Sequence, residues 1–194
     1  MQHLPILPIL IPLLAGALMI PLEDKKGRVR SGIGVVATLL MLAVAVALLL
    51  RADAGTVSVY RLGNWPSTFG IVLVVDRLSA LLLLLTSVLG LAALVFSLTR
   101  WQRMGAHFQA LFQFQLMGLN GAFMTGDLFN LFVFFEVLLA ASYGLALHGS
   151  GVARVKAGLH YISINLAASL LFLIGVSMIY GTTGTLNIDR KSVV

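Results

Sequence analysis

Six apolar stretches of bilayer-crossing length leave this 194-residue chain very few folds. They run approximately over residues 4–22, 32–50, 77–99, 107–125, 128–147 and 158–180. A helix needs about 20 mainly apolar residues to cross the hydrocarbon core. It also satisfies its own backbone N–H and C=O groups in lipid, which an open segment cannot do. The expected architecture is all-α: a polytopic transmembrane helix bundle of about six spans, forming a single membrane domain over 1–194. Composition agrees, at 59% hydrophobic and 10% charged residues, where soluble domains carry roughly 25% charged. The net charge of +6 does not point to nucleic acid, because the apolar stretches commit the chain to the lipid bilayer. The absence of cysteine excludes disulfides and cysteine-ligated metals.

The first stretch carries Pro5, Pro8 and Pro12, which predicts an early bend. Neighbouring helices must then satisfy the carbonyls that proline leaves free. This stretch has no Lys/Arg leader and is followed by further spans, so it reads as a retained helix and not as a signal peptide. The second stretch is plain Ala/Val/Leu scaffold. Between Arg51 and Asp76, two β-rich runs (Thr56 to Arg61 and Gly70 to Val75) flank a Gly63-Asn-Trp-Pro66 turn region. The pattern predicts a short extramembrane β-hairpin between spans two and three, with Trp65 near the interface. The alternative adds Phe69 to Val75 to the third span, giving a helix of roughly 30 residues, longer than usual.

Charge in the connections predicts orientation. Lys25, Lys26, Arg28, Arg30, Arg100, Arg103, Arg154 and Lys156 fall on one side of the expected bundle. Arg51, Arg61, Arg77, Arg190 and Lys191 fall on the other. The excess of positive charge marks the first side as cytoplasmic, which places the N-terminus outside.

Glu136 is the ninth residue of the fifth stretch, near the bilayer midplane. A carboxylate at that depth needs a reason to be there. Ionising it among Phe134, Phe135, Val137 and Leu138 is unfavourable without a cation close by. A proton relay is one reading, and a structural glutamate tied to a helix partner is the other. Tyr143, seven residues on, shares the face of Glu136. On the sixth stretch, His160 and Ser163 share one face, and Asn165 and Ser169 share another. The short fifth connection makes these two stretches antiparallel neighbours. His160 then lies shallow on the cytoplasmic side. It is a candidate relay residue, or an interfacial histidine packed beside Tyr161.

The remaining polar residues have simpler expectations. Asp127 is placed to N-cap the fifth helix and Asp76 the third. Arg77 can pair with Asp76, snorkel to the interface, or reach a carboxylate in another helix. Gln109, Gln113 and Asn120 share one face of the fourth stretch, while Gln115 points away. These amides can hold ordered water or pack helix against helix. His107 and His148 read as boundary residues. The sequence offers no metal cluster, phosphate-binding loop or nucleophile–base pair, so no cofactor is expected.

Three runs carry a family likeness: Val75-Asp-Arg-Leu-Ser-Ala-Leu81, Gly126-Asp-Leu-Phe-Asn-Leu-Phe-Val-Phe-Phe-Glu136, and His160-Tyr-Ile-Ser-Ile-Asn-Leu-Ala-Ala-Ser-Leu-Leu-Phe-Leu-Ile-Gly175. They resemble the proton-conducting, antiporter-like membrane subunits shared by respiratory NADH:quinone oxidoreductase and the multisubunit Na⁺/H⁺ (Mrp-type) antiporters. Within that superfamily the likeness is to the D subunit of the Mrp-type complexes. The resemblance implies a secondary transporter subunit rather than an enzyme, exchanging H⁺ for Na⁺ or K⁺. It also implies a bacterial inner (plasma) membrane location beside other membrane subunits of a hetero-oligomeric antiporter complex. By the same resemblance, Glu136 matches the family's fifth-helix glutamate, which pairs with a lysine on a seventh helix. Tyr161 matches the tyrosine of a Lys-Tyr pair in the respiratory branch, where His160 replaces the lysine. Asp76 matches a structural acid opening the third helix. The match fades after Asn187, so the sequence reads as part of a longer chain. Two other readings stay open: a proton-pumping subunit of an NADH:quinone oxidoreductase or membrane hydrogenase-type complex, and a non-transporting scaffold.

Overall fold

A computed structural model describes residues 3–22, 27–62, 71–100, 107–149 and 151–188. Lys25, Lys26, Trp65, Arg103, the Gly63–Pro66 turn and the tail from residue 189 onward lie outside the described residues. Each of the six apolar stretches holds a helix. A 3-10 turn (Leu4–Ile6) leads into α1 (Leu7–Met19), followed by α2 (Gly27–Asp53). After the strands β1 (Ser58–Arg61) and β2 (Val72–Val75) come α3 (Arg77–Arg100), α4 (Phe108–Met124), α5 (Leu128–Ala146) and α6 (Val152–Thr183). By length and composition α2, α3, α5 and α6 can each cross a bilayer, while Leu4–Met19 and α4 are shorter apolar helices. The chain is a multi-pass membrane protein with an all-α bundle and one antiparallel hairpin.

The hairpin pairs Ser58 with Val75 and Arg61 with Val72. Residues 72–75 are therefore strand, not an extension of α3. Two further segments continue the ladder. Gly126 N–H donates to Val72 O at 2.9 Å, and Leu128 N–H donates to Leu186 O at 3.0 Å. Ile188 N–H returns to Gly126 O at 2.9 Å. The hairpin, the α4–α5 turn and the end of α6 are thus laced together at one end of the bundle. The N-terminus joins them through His3 Nδ1 and Tyr60 Oη, 3.0 Å apart.

Two apolar clusters hold the ends of the α1–α4 unit. One gathers Ala45, Leu48 and Ala52 of α2 with Leu73, Val75, Leu83 and Met124. The other gathers Ala15, Met19, Ala37 and Ala110 at the opposite end. Between them lies a polar layer. Gln113 Nε2 donates to Gly34 O and to Thr38 Oγ1, each at 3.1 Å. Asn120 Nδ2 donates to Pro8 O at 2.8 Å and contacts Met41 Sδ at 3.0 Å. The Pro8 contact follows from the sequence of α1. Pro12 has no N–H, so the Pro8 carbonyl lacks its usual partner four residues on. Asn120, from α4, supplies the missing donor.

The helix ends are closed by side chains already legible in the sequence. Asp76 Oδ1 accepts from Ser79 N–H and Ser79 Oγ, both at 2.7 Å, at the start of α3. Those two bonds, the backbone one first, hold the Asp76 carboxyl below the ordinary aspartate range. Arg77 lies 3.2 Å from Asp53 Oδ1 and also donates to the Asp53 carbonyl at 2.8 Å, at the C-terminus of α2. Of its three expected partners, Arg77 takes the carboxylate of another helix. A cation there also meets the negative end of the helix dipole.

Candidate functional site

The position of Glu136 is set by how α5 meets α4. A Cβ on Gly118 would stand 2.8 Å from the Leu138 backbone nitrogen, and one on Gly121 would stand 2.1 Å from the Phe134 ring. The two glycines let α5 lie directly on α4 along its Phe134–Leu138 face. Glu136 is two residues from each of those positions, about 200° round the helix. It therefore points away from α4, toward α6 and the open side of the bundle. Asp127 fixes the start of the same helix, its Oδ1 accepting from Phe129 N–H at 2.8 Å and Asn130 N–H at 3.0 Å.

On α6 the facing residue is Ser169, whose hydroxyl donates to Glu136 Oε1. Tyr161, Asn165 and Ser169 recur every four residues, so they form one polar stripe on α6. Tyr161 Oη lies 3.1 Å from Ser142 Oγ of α5. Ser142 in turn donates to Leu139 O at 2.8 Å, which leaves its oxygen to accept from Tyr161. Tyr143 meets Tyr161 edge to face, with ring centroids 5.6 Å apart. The Tyr143 hydroxyl is buried and has no hydrogen-bond partner among the described residues. Beside the stripe, Phe132, Phe135, Leu139 and Phe172 wall a cleft of about 180 Å³ that opens on Asn165 and Ser169.

The structure brings Glu136 and Ser169 together and gathers Tyr143, Tyr161 and Ser142 nearby. It does not bring His160 to Glu136. His160 precedes Ser169 by nine residues, about 14 Å along α6 and half a turn round it. It is exposed, as is Ser163, whose hydroxyl turns back to Leu159 O at 2.8 Å. His148 sits half-buried against Phe108 at the other end of α5, with ring centroids 5.4 Å apart. No group of acidic or histidine residues suited to a metal ion occurs among the described residues.

Sequence spacing found Glu136 and Tyr143 but did not join Ser169 to Glu136. Spacing within one helix says which residues share a face, whereas that contact depends on the rotation of two helices against each other.

The site lies on a face with little cover. Only 6% of the most apolar stretch of α5, and likewise of α6, is buried, against 33% for α2 and for α3.

Residues 125–193, which contain α5 and α6, match the family described as NADH:quinone oxidoreductase/Mrp antiporter, TM. The chain is 60% identical over 192 residues to the D subunit of a probable K⁺/H⁺ antiporter of Rhizobium meliloti, covering 96% of this chain and 36% of the relative. It is 43% identical to the D subunit of a Na⁺/H⁺ antiporter of Alkalihalophilus pseudofirmus, covering 100% of this chain and 39% of the relative. Its fold matches a chain in the structure of the Mrp complex from Dietzia sp. with a TM-score of 0.89 at 37% identity, covering 96% of this chain and 36% of that one. The chain thus spans well under half the length of the relatives it matches. Sequence likeness and fold therefore agree: residues 125–193 match the membrane family described for NADH:quinone oxidoreductase and Mrp antiporters, and nearly the whole chain is similar to about a third of the antiporter D subunits.

Proposed function

We propose that this chain is a membrane domain of a proton-conducting subunit in a multisubunit monovalent cation/proton antiporter, with Glu136, half-buried beside α6, as its proton-relay carboxylate. H⁺ is exchanged for Na⁺ or K⁺, the two cations named for the antiporter relatives. Other membrane subunits of a hetero-oligomeric complex are the partners. The membrane is the bacterial inner membrane, with the N-terminus and the hairpin outside and the Arg28, Arg30, Arg154 and Lys156 end in the cytoplasm.

One observation carries the reading. Glu136 lies midway along α5, turned away from the packed α4 face, and it bonds to a hydroxyl on the neighbouring helix. An ionisable group at that depth marks a proton or ion path by default. A serine hydroxyl can donate to the carboxylate and accept from the acid, so it accommodates either protonation state.

The test uses the antiporter complex that carries this sequence, in inverted membrane vesicles. Glu136→Gln and Glu136→Ala are assayed for collapse of a pH gradient on adding Na⁺ or K⁺, alongside complex assembly. At least a tenfold loss of exchange with normal assembly is expected. Unchanged exchange in both variants would remove Glu136 from the path, and loss of assembly in both would make it structural.

A further inference from the structure

Tyr143 combines features that packing does not explain. Its ring is held edge to face by Tyr161, yet its hydroxyl is buried with no hydrogen-bond partner among the described residues. Burying an unpaired hydroxyl is unfavourable, and phenylalanine would fill the same space without that cost. Tyr143 follows Glu136 by seven residues on the same face, about 10 Å along α5. Helical side chains lean toward the helix N-terminus, so the Tyr143 phenol leans toward Glu136. Glu136 and Tyr161 are the titratable groups that act on it electrostatically. Close by stands the Tyr161–Ser142 hydroxyl pair, Ser142 being the residue before Tyr143 on α5.

We propose that the Tyr143 hydroxyl passes protons between the Tyr161–Ser142 pair and Glu136, making the α5–α6 seam, and not His160, the route from the α5–α6 connection to that acid. This rests on the relay role of Glu136 proposed above. Bridging water is a competent hydrogen-bond link across the remaining gap. A proton arriving from the Tyr161 side binds a lone pair of the Tyr143 oxygen as that oxygen releases its own hydrogen toward Glu136. Tyr143 is neutral before and after, and the Glu136 carboxylate becomes the acid. Asn165, on the same stripe of α6 between Tyr161 and Ser169, donates to the Tyr161 carbonyl at 2.8 Å and helps fix the backbone there.

The test again uses the assembled complex in vesicles, with Tyr143→Phe, Tyr161→Phe and Glu136→Gln. Tyr180→Phe serves as a control, being an exposed tyrosine near the far end of α6. Cation-driven proton exchange, assembly and melting temperature are measured for each. Tyr143→Phe is expected to slow exchange at least tenfold with normal assembly and an equal or higher melting temperature. Tyr161→Phe should slow it in the same direction, and Tyr180→Phe should stay within twofold of the parent. Exchange within twofold of the parent in Tyr143→Phe would overturn the inference. So would a lower melting temperature or failed assembly, either of which would make the hydroxyl structural. If Glu136→Gln is inactive while Tyr143→Phe is fully active, only this inference fails. If Glu136→Gln keeps full exchange, the relay role of Glu136 fails with it.

Discussion

Replacing Asn120 with leucine should destabilise the bundle only while position 12 is proline. In the native chain, Asn120 Nδ2 donates to the Pro8 carbonyl that Pro12 leaves without a partner. Leucine keeps most of the side-chain volume but removes that donor. Hydrogen bonds between membrane helices average about 0.6 kcal/mol and reach about 1.7. An orphaned buried carbonyl adds up to about 1–3 kcal/mol. One effect opposes these. Asn120 Oδ1 is itself buried without a partner among the described residues, so leucine also relieves an unsatisfied acceptor. The net expectation for Asn120→Leu is a loss of about 1–2 kcal/mol. Pro12→Ala restores an N–H one turn beyond Pro8, closing the normal helical bond. In that background the same substitution should cost less than about 0.5 kcal/mol, a coupling of about 1 kcal/mol in a double-mutant cycle. Unfolding by sodium dodecyl sulfate in mixed micelles, followed by circular dichroism, reads all four proteins. Equal losses in the two backgrounds would refute the argument, because the Asn120 bond would then be independent of the missing proline donor.

Gly118→Ala should destabilise the α4–α5 contact by about 1–3 kcal/mol, as overpacking does, because the added methyl meets the Leu138 backbone at 2.8 Å and backbone cannot turn aside. The same unfolding assay reads it, and an unchanged midpoint would mean that α5 slides freely on α4. Asp76 has its carboxyl held below the ordinary range, so its cap should be at full strength above about pH 4 and weaken as acid protonates it. Asp76→Asn should match the parent at neutral pH, since both residues cap well, and melting temperatures from pH 3 to 6 should show a shallower acid-side decline than in the parent.

The helices were legible because membrane burial leaves a length signal that needs no partner. The hairpin was legible for a similar reason, as the β-rich runs around Val59 and Val74 carry turn signals between them. Boundaries were less so. The sixth apolar stretch starts near residue 158, but α6 begins at Val152. Arg154 and Lys156 keep the first turns out of the hydrophobic count without stopping the helix. Their long side chains reach outward, Arg154 donating to the His148 carbonyl, while the backbone stays helical. Capping at Asp76 and Asp127 was readable because it is local, reaching only two or three residues. Contacts between helices were not. Asn120 lies 112 residues from Pro8, and Ser169 lies 33 from Glu136. Nothing in either local sequence says which pair will meet.

Those two contacts differ in chemistry as well as in distance. Inside the α1–α4 unit the buried bonds between helices come from amides, Gln113 to Gly34 and Thr38, and Asn120 to Pro8. An amide does not titrate, and its partners here are backbone carbonyls and a threonine hydroxyl that do not titrate either. Such bonds have one state and act as fixed pins between apolar clusters. Between α5 and α6 the bonds join serine hydroxyls to a carboxylate and to a phenol, and the last two are groups that can gain or release a proton. Within this chain these bonds lie where apolar cover is thinnest. A hydroxyl can also change partner by turning its O–H, which a planar amide cannot do. A proton site must open and close while its scaffold stays put. The amide-pinned helices meet the second requirement and the hydroxyl-lined seam meets the first, so the division between fixed and movable parts of this chain follows the division between groups that cannot titrate and groups that can.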